Sequence, residues 1–261
     1  MKIDFTKYQG TGNDFIMLDN LSGSYDFITL DNIRFLCDRQ LGIGADGLIK
    51  ISKHETFDFE VEYFNADGTQ SFCGNGARCS VAFAKSLGII DSKTEFVAID
   101  GTHKATIDNE VVRLEMLPVE PAVIINNDFV LNTGSPHYVR FVNEVSKENV
   151  IDFGKEIRYS DQFKQEGINV NLLTVLSEAE INVETYERGV ENETLSCGTG
   201  VTACALVYLM NTKQFPDAKV SVRTKGGTLK VEAMSFSEEK GFNDVWLSGP
   251  ALNVFNGSIN L

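Results

Sequence analysis

The segment Ser71-Phe72-Cys73-Gly74-Asn75-Gly76-Ala77-Arg78-Cys79 has a counterpart at Leu195-Ser196-Cys197-Gly198-Thr199-Gly200, so a cysteine precedes Gly-x-Gly twice, 124 residues apart. A helix-like run follows each. After the first, from about Asn75, come Val81, Ala82, Phe83, Ala84 and Leu87. After the second, from about Thr199, come Val201, Ala203, Ala205, Leu206, Leu209 and Met210. Both runs are apolar nearly all round, the pattern of a helix enclosed by its own sheet.

Working outward, an offset of 122 to 125 residues brings further blocks together in the same order. Thr11-Gly12-Asn13-Asp14-Phe15 lies over Thr133-Gly134-Ser135-Pro136-His137. Gly42-Ile43-Gly44-Ala45-Asp46-Gly47-Leu48 lies loosely over Gly167-Ile168-Asn169-Val170-Asn171-Leu172, and Glu62-Tyr63-Phe64-Asn65 over Glu184-Thr185-Tyr186-Glu187. Such ordered self-similarity predicts a duplicated fold. Phe57, Phe59, Val61 and Tyr63 alternate with acidic residues, and Ile181, Val183 and Thr185 alternate with Asn182 and Glu184, the period of a half-buried strand. Further strands are expected at 94–99, 104–108, 111–116, 168–176, 219–224, 228–234 and 244–248, with a hairpin turn at Lys225-Gly226-Gly227-Thr228. Amphipathic helices are expected at about 30–39 and 147–158. The chain reads as α+β, in two similar halves joined near Pro118 to Pro121.

A thiol at a helix start lies near backbone N–H groups and the positive end of the dipole, which favours thiolate. Flanking glycines let a ligand approach those N–H groups, which can hold a carboxylate. Two such thiols on matching halves are expected to face one another across a ligand cleft. One would take a proton from a carbon while the other returns a proton to the opposite face. The alternative is packing, because cysteine often acts as a small buried hydrophobe. Packing is the reading for Cys37, Cys79 and Cys204; the repeated Gly-x-Gly context sets Cys73 and Cys197 apart.

The 261 residues, 43% apolar, suffice for one large or two small domains. A net charge of -14 argues against nucleic acid or an anionic membrane as partner, since both need concentrated Lys and Arg. The N-terminal stretch lacks the apolar core of a signal peptide, and no apolar run nears the roughly 20 residues of a membrane span, so a cytoplasmic protein is expected. Five cysteines without a Cys-x-x-Cys pair, and scattered His54, His103 and His137, point to no disulfide framework and no metal site. Gly42-Ile43-Gly44-Ala45-Asp46-Gly47 fits a dinucleotide fingerprint in spacing only: it follows a helix and leads into a strand, the reverse of what pyrophosphate binding needs.

Six stretches, "KYQGTGNDFIMLD" (7–19), "LCDRQLGIGADGL" (36–48), "YFNADGTQSFCGNGARC" (63–79), "NTGSPHYV" (132–139), "INVNLL" (168–173) and "YERGVENETLSCGTG" (186–200), resemble diaminopimelate epimerase over nearly the whole chain. The resemblance implies two pseudo-symmetric domains, each a mainly antiparallel sheet around a central helix. The halves are 1–117, with a C-terminal strand in 250–261 returning to it, and 118–249. It implies interconversion of LL- and meso-diaminopimelate in lysine and peptidoglycan precursor biosynthesis, without pyridoxal phosphate or any other cofactor, by a homodimer. By resemblance Cys73 and Cys197 are the acid/base pair, with His137 and Glu187 assisting Cys73 and Cys197 respectively. Gly74, Asn75, Gly198 and Thr199 would bind the carboxylate on the reacting carbon through backbone N–H groups. Asn13, Asn65, Asn169, Glu187 and Arg188 would hold the substrate, with Arg188 on the distal carboxylate. Ser135 stands where many relatives have Asn, and is carried over as a substrate contact; Gly47 stands where some have Gln.

Taken one by one, these residues also have plainer readings. His137 could be a loop histidine, Asn13 and Asn169 turn formers, and Glu187-Arg188 a solvated pair. The competing enzymes are a proline or hydroxyproline racemase, which would not need Arg188, and a phenazine-type isomerase, which would not be expected to keep both cysteines. The competing non-enzyme is a ligand-binding scaffold of the same fold.

Overall fold

The computed structural model describes residues 1–145 and 149–261. The elements, in chain order, are β1 (Lys2–Gly10), β2 (Asn13–Asp19), α1 (Leu30–Cys37), β3 (Gly47–Ser52), β4 (Phe59–Asn65), α2 (Gly74–Ser86), β5 (Lys93–Ala98), β6 (Gly101–Asp108), β7 (Val111–Met116), β8 (Val123–Ile125), β9 (Asp128–Asn132) and β10 (Pro136–Phe141). Then follow α3 (Val150–Arg158), β11 (Asn169–Ser177), β12 (Glu180–Glu187), β13 (Asn192–Thr194), α4 (Gly198–Asn211), β14 (Ala218–Thr224), β15 (Gly227–Ser237), β16 (Gly241–Pro250) and β17 (Leu252–Asn260). Contacts divide the chain into one compact unit of Met1–Leu114 with Gly249–Leu261 and a second of Glu115–Ser248.

In the first unit β17 pairs antiparallel with β1, and β1 with β2. A parallel step to β3, an antiparallel step to β4 and a parallel step to β5 follow, then antiparallel β6 and β7. Helix α2 does not interrupt this series: it packs against β1, β2, β3, β4, β6 and β17, inside the curve of its own sheet. The second unit repeats every step. Its β8, β9 and β10 are antiparallel neighbours, β10 to β11 is parallel, β11 to β12 antiparallel, β12 to β14 parallel, and β14, β15 and β16 antiparallel. Here α4 packs against β9, β10, β11, β12, β14 and β15.

The strand register corrects one part of the self-alignment. Leu48 pairs with Phe64 and Val170 with Tyr186, so these strands are related by an offset of 122, and Gly47 is the counterpart of Asn169. Laying Gly42 over Gly167 matched glycines of loops that differ in length; pairing, which sends alternate residues to opposite faces, decides the true register.

Local chemistry sets the helix ends. Thr29 caps α1 in a capping box with Asn32, and the helix stops at Cys37, two residues before the expected end, where the Asp38 carboxylate takes the Gln40 and Leu41 N–H groups at 2.7 Å each. Asn149 caps α3 by accepting from Ile151 and Asp152; of the helix expected at 147–158, residues 147 and 148 lie outside the described residues. Helix α4 is buried from Gly198 to Leu209, and α2 from Gly74 to Ala84. Each large apolar side chain so buried contributes about 1.5–3 kcal/mol. Helix α2 departs from the all-apolar expectation, for it also buries Asn75, Arg78 and Ser80.

Candidate active site

Cys73 is the N-cap of α2 in extended backbone (φ -130°, ψ 110°), and its sulfur accepts from Gly76 N–H at 3.4 Å. The α-helical pattern leaves first-turn N–H groups without intrahelical acceptors, so this end of α2 is an anion-binding surface. On the other side of the sulfur lies Asn13 Oδ1, at 3.5 Å, which also accepts from Asn75 Nδ2 at 3.3 Å. The Asn13 amide is oriented by Asp46, whose Oδ2 takes its Nδ2 at 2.6 Å. Asp46 is itself held by Arg39 Nη2 at 2.8 Å, and Arg39 also grips Asp14, which pairs with Lys7 at 2.8 Å. Burial opposes ionisation of Asp14, but the hydrogen bonds from Arg39 and Lys7 prevail and bring its pKa down to about 2. Four alternating charges thus fix one neutral amide against Cys73.

Cys197 is the N-cap of α4 with nearly the same backbone (φ -110°, ψ 111°) but a different neighbour. Its sulfur lies 3.4 Å from Thr199 Oγ1, which is 2.9 Å from His137 Nε2. His137 is in β10 and fully buried, not in a loop. Its tautomer follows from the next residue along. Asn171 Nδ2 donates to the Tyr138 carbonyl at 2.9 Å while Thr185 Oγ1 donates to Asn171 Oδ1 at 2.9 Å, which fixes the amide orientation. Nδ2 then points its other proton at His137 Nδ1, 3.2 Å away, so Nδ1 accepts and Nε2 carries the hydrogen. That hydrogen goes to the Thr199 oxygen, leaving the Thr199 O–H to donate to the Cys197 sulfur. Burial first, and then the Arg188 charge, lower the His137 pKa to about 3, so the ring is neutral at neutral pH.

The other three cysteines are packed. Burial pushes the thiols of Cys37 and Cys79 up to about 12 and that of Cys204 well above its usual value. Asn169 ties three expected site residues of the second unit together: its Nδ2 donates to Ser135 Oγ at 2.9 Å and to the Pro136 carbonyl at 3.1 Å, and its Oδ1 accepts from Arg188 N–H at 2.9 Å. Arg188 is exposed, with Nη1 on the Glu166 carbonyl at 2.8 Å, and Glu187 ends β12 opposite Asn192. Asn65 braces the loop leading to Cys73, donating to the Thr69 carbonyl and hydroxyl and to Ser71 Oγ at 3.1–3.3 Å.

The family model described as Diaminopimelate epimerase matches residues 5–119 and again 129–243, one block in each half of the duplication. A diaminopimelate epimerase of Flavobacterium psychrophilum is 48% identical over 97% of this chain and 98% of its own, and that of Aquifex aeolicus is 39% identical over 99% and 98%. The chain belongs to the diaminopimelate epimerase family. Among solved structures, a phenazine biosynthesis protein of the PhzF family from Bacillus anthracis superposes with a TM-score of 0.75 at 13% identity, covering all of both chains. A probable proline racemase from Agrobacterium radiobacter does so with 0.71 at 14%, covering 99% of this chain and 93% of its own. These two share the fold, α+β with two domains.

At Gly47 a Cβ would lie 2.5 Å from Tyr63 Cε2 and from the Phe64 carbonyl oxygen, so the Tyr63 ring occupies the space a side chain would need. The Gly-rich 42–47 segment is a connector from α1 to β3 that delivers Asp46 to Asn13. Sequence reasoning overlooked Asp46, Asn171, Thr185 and Arg78. Asn171 had a signal as a polar residue between Val170 and Leu172, Thr185 as a hydroxyl continuing the buried alternation of Ile181 and Val183, and Arg78 was visible as a cation inside an apolar helix. Among the described residues no cluster of His, Cys, Asp or Glu is arranged to hold a metal ion, and no helix is long and apolar enough to cross a membrane.

Proposed function

We propose that this chain interconverts LL- and meso-diaminopimelate by transferring protons through Cys73 and Cys197, without pyridoxal phosphate. The observation that carries the reading is a pair of cysteines in matching N-cap geometry at two glycine-opened helices, in a member of the diaminopimelate epimerase family. The α-proton of an amino acid is weakly acidic, because the charge left on carbon must spread into the adjacent carboxylate. Fixed N–H donors around Gly74, Asn75, Gly198 and Thr199 would receive that charge without reorganisation. One sulfur, as thiolate, takes the α-proton; the other, as thiol, gives a proton to the opposite face, and the roles exchange in the reverse direction. The resemblance assigns His137 to Cys73, but its hydrogen-bond chain runs through Thr199 to Cys197, so its action falls on Cys197 instead; Glu187 assists Cys197 in proton relay. Asn13, Asn65, Ser135 and Asn169 position the substrate. Arg188, exposed and positively charged, would take the distal carboxylate in its planar fork and so select against shorter amino acids.

The working halves would be 1–117 with 250–261 and 118–249, in a cytoplasmic homodimer, which light scattering would check. The deciding experiment is proton NMR of the reduced protein with LL-diaminopimelate in D2O, with no added pyridoxal phosphate. Loss of the α-proton signal with appearance of the meso isomer is expected, and both should vanish in Cys73→Ala and Cys197→Ala. Absence of exchange by a folded, reduced wild-type protein overturns the reading, and proline in the same assay would expose a racemase instead.

A further inference from the structure

Helix α2 buries a guanidinium completely. Arg78 is 0% exposed, with Nη1 3.3 Å from the Gly74 carbonyl, Nη2 2.9 Å from Asn75 Oδ1 and 3.5 Å from Thr11 Oγ1, and Nε with no partner. All three acceptors are neutral, and among the described residues no carboxylate pairs with it. Burial draws its pKa down to about 10, which leaves it charged at neutral pH. A buried cation without a counter-ion is costly, because its lost hydration is not repaid by an opposite charge.

The duplication shows that the cost is not needed for the bonding. The residue that follows Gly198 by four is Thr202, also 0% exposed, and its hydroxyl makes the equivalent bond to the first helical carbonyl, Gly198 O, at 2.9 Å. A neutral side chain therefore suffices to lock a helix start of this design. What Arg78 adds over Thr202 is charge, placed directly behind the turn that Cys73 caps. The other ionised groups near Cys73 cancel: Lys7, Asp14, Arg39 and Asp46 form a closed alternating set behind Asn13, and Cys79 is held as the neutral thiol by burial. The Asn13 carbonyl oxygen, facing the sulfur, works against the thiolate. Arg78 is the counterweight.

We propose that Arg78 is a positioning residue for the anion at the start of α2: its uncompensated charge stabilises the Cys73 thiolate and then the substrate's α-carboxylate, through the turn it grips at Gly74 and Asn75. Its substrate part rests on the epimerase reading; its thiolate part does not.

The test compares Arg78→Gln, which keeps neutral donors, with Arg78→Lys, which keeps the charge but loses the forked bonding. Two readouts are taken: the rate of iodoacetamide alkylation of Cys73 at pH 7, followed by peptide mass spectrometry, and kcat/KM for diaminopimelate. The expected result is about tenfold slower alkylation in Arg78→Gln, with kcat/KM lower by about a hundredfold, and recovery of both to within about threefold in Arg78→Lys. If Gln performs as well as Lys, or both lose equally, the role is bonding and the proposal fails. Should neither variant fold, the wild-type pH profiles of alkylation at both cysteines decide, since both cap helices and only Cys73 has a buried charge behind its turn: a Cys73 midpoint below that of Cys197 supports the charge effect, and one at or above it overturns it. A wild-type chain that alkylates as expected but does not epimerise diaminopimelate would sink the function and leave the Arg78–Cys73 coupling standing.

Discussion

His137 Nε2 and Thr199 Oγ1 lie 2.9 Å apart at positions that are 0% and 6% exposed, and this contact turns the Thr199 hydroxyl into a donor aimed at Cys197. A hydrogen bond to a charged acceptor is worth about 1.5–3 kcal/mol, which corresponds to roughly 10–100-fold in thiolate population. Thr199→Val should therefore slow alkylation of Cys197 at pH 7 by at least about tenfold and leave Cys73 unchanged. Equal rates at Cys197 in variant and wild type would remove Thr199 from the relay.

Gly200, in the first turn of α4, sits where the relay passes closest to the helix. A Cβ there would lie 2.6 Å from Asn171 Oδ1 and 3.2 Å from His137 Cε1. Alanine normally stabilises a helix over glycine by about 1 kcal/mol. Here it should do the opposite, displacing Asn171 and with it the His137 tautomer. Turnover in Gly200→Ala is expected to fall by more than tenfold, with a lower melting temperature. A more stable, fully active variant would contradict the packing described.

The buried neutral imidazole makes acid costly. An unfolded histidine takes up its proton near 6.5, whereas His137 does so only near 3. Between those values the unfolded chain binds a proton that the native one refuses, so stability is full above pH 6.5 and falls below it, by up to about 1.4 kcal/mol per pH unit. Asp14, lowered from 3.8 to about 2, adds to the loss as pH falls below 3.8. Thermal melts from pH 7.5 to 4.5 should decline more steeply for wild type than for His137→Asn; parallel declines would show that His137 does not set the slope.

Asp46 orients Asn13 through one 2.6 Å bond. Asp46→Ala should free that amide and leave Arg39 with Asp14 alone, so that KM for diaminopimelate rises by roughly tenfold while the Cys197 alkylation rate stays unchanged, consistent with losing one charge-assisted bond. Unchanged KM would show that Asn13 is held by other means.

The duplication, the two buried helices and most strands of the later part of each half could be read from period and turn chemistry. Strands β1, β2, β8, β9, β10 and β13 could not. β2 is buried on both faces at Phe15, Ile16, Met17 and Leu18, which removes the alternation that marks a strand, and β1 turns Lys7 inward to meet Asp14. At the site, the cysteines were legible because glycine and thiol chemistry is local. Asp46 and Asn171 were not, because each acts on a partner more than thirty residues away that only strand pairing brings near, Asn13 through β2 and β3 and His137 through β10 and β11.

The pairing of β17 with β1 has a bearing on biosynthesis. Lys2 is matched with Asn260, whereas the second unit is an unbroken stretch, Glu115–Ser248. On the ribosome, the strand that borders β1 emerges only after the whole of that stretch has been made. The second unit can thus condense during translation, while β1 keeps one edge unsealed until translation has passed β17, an interval in which chaperone capture or aggregation of that edge is to be expected.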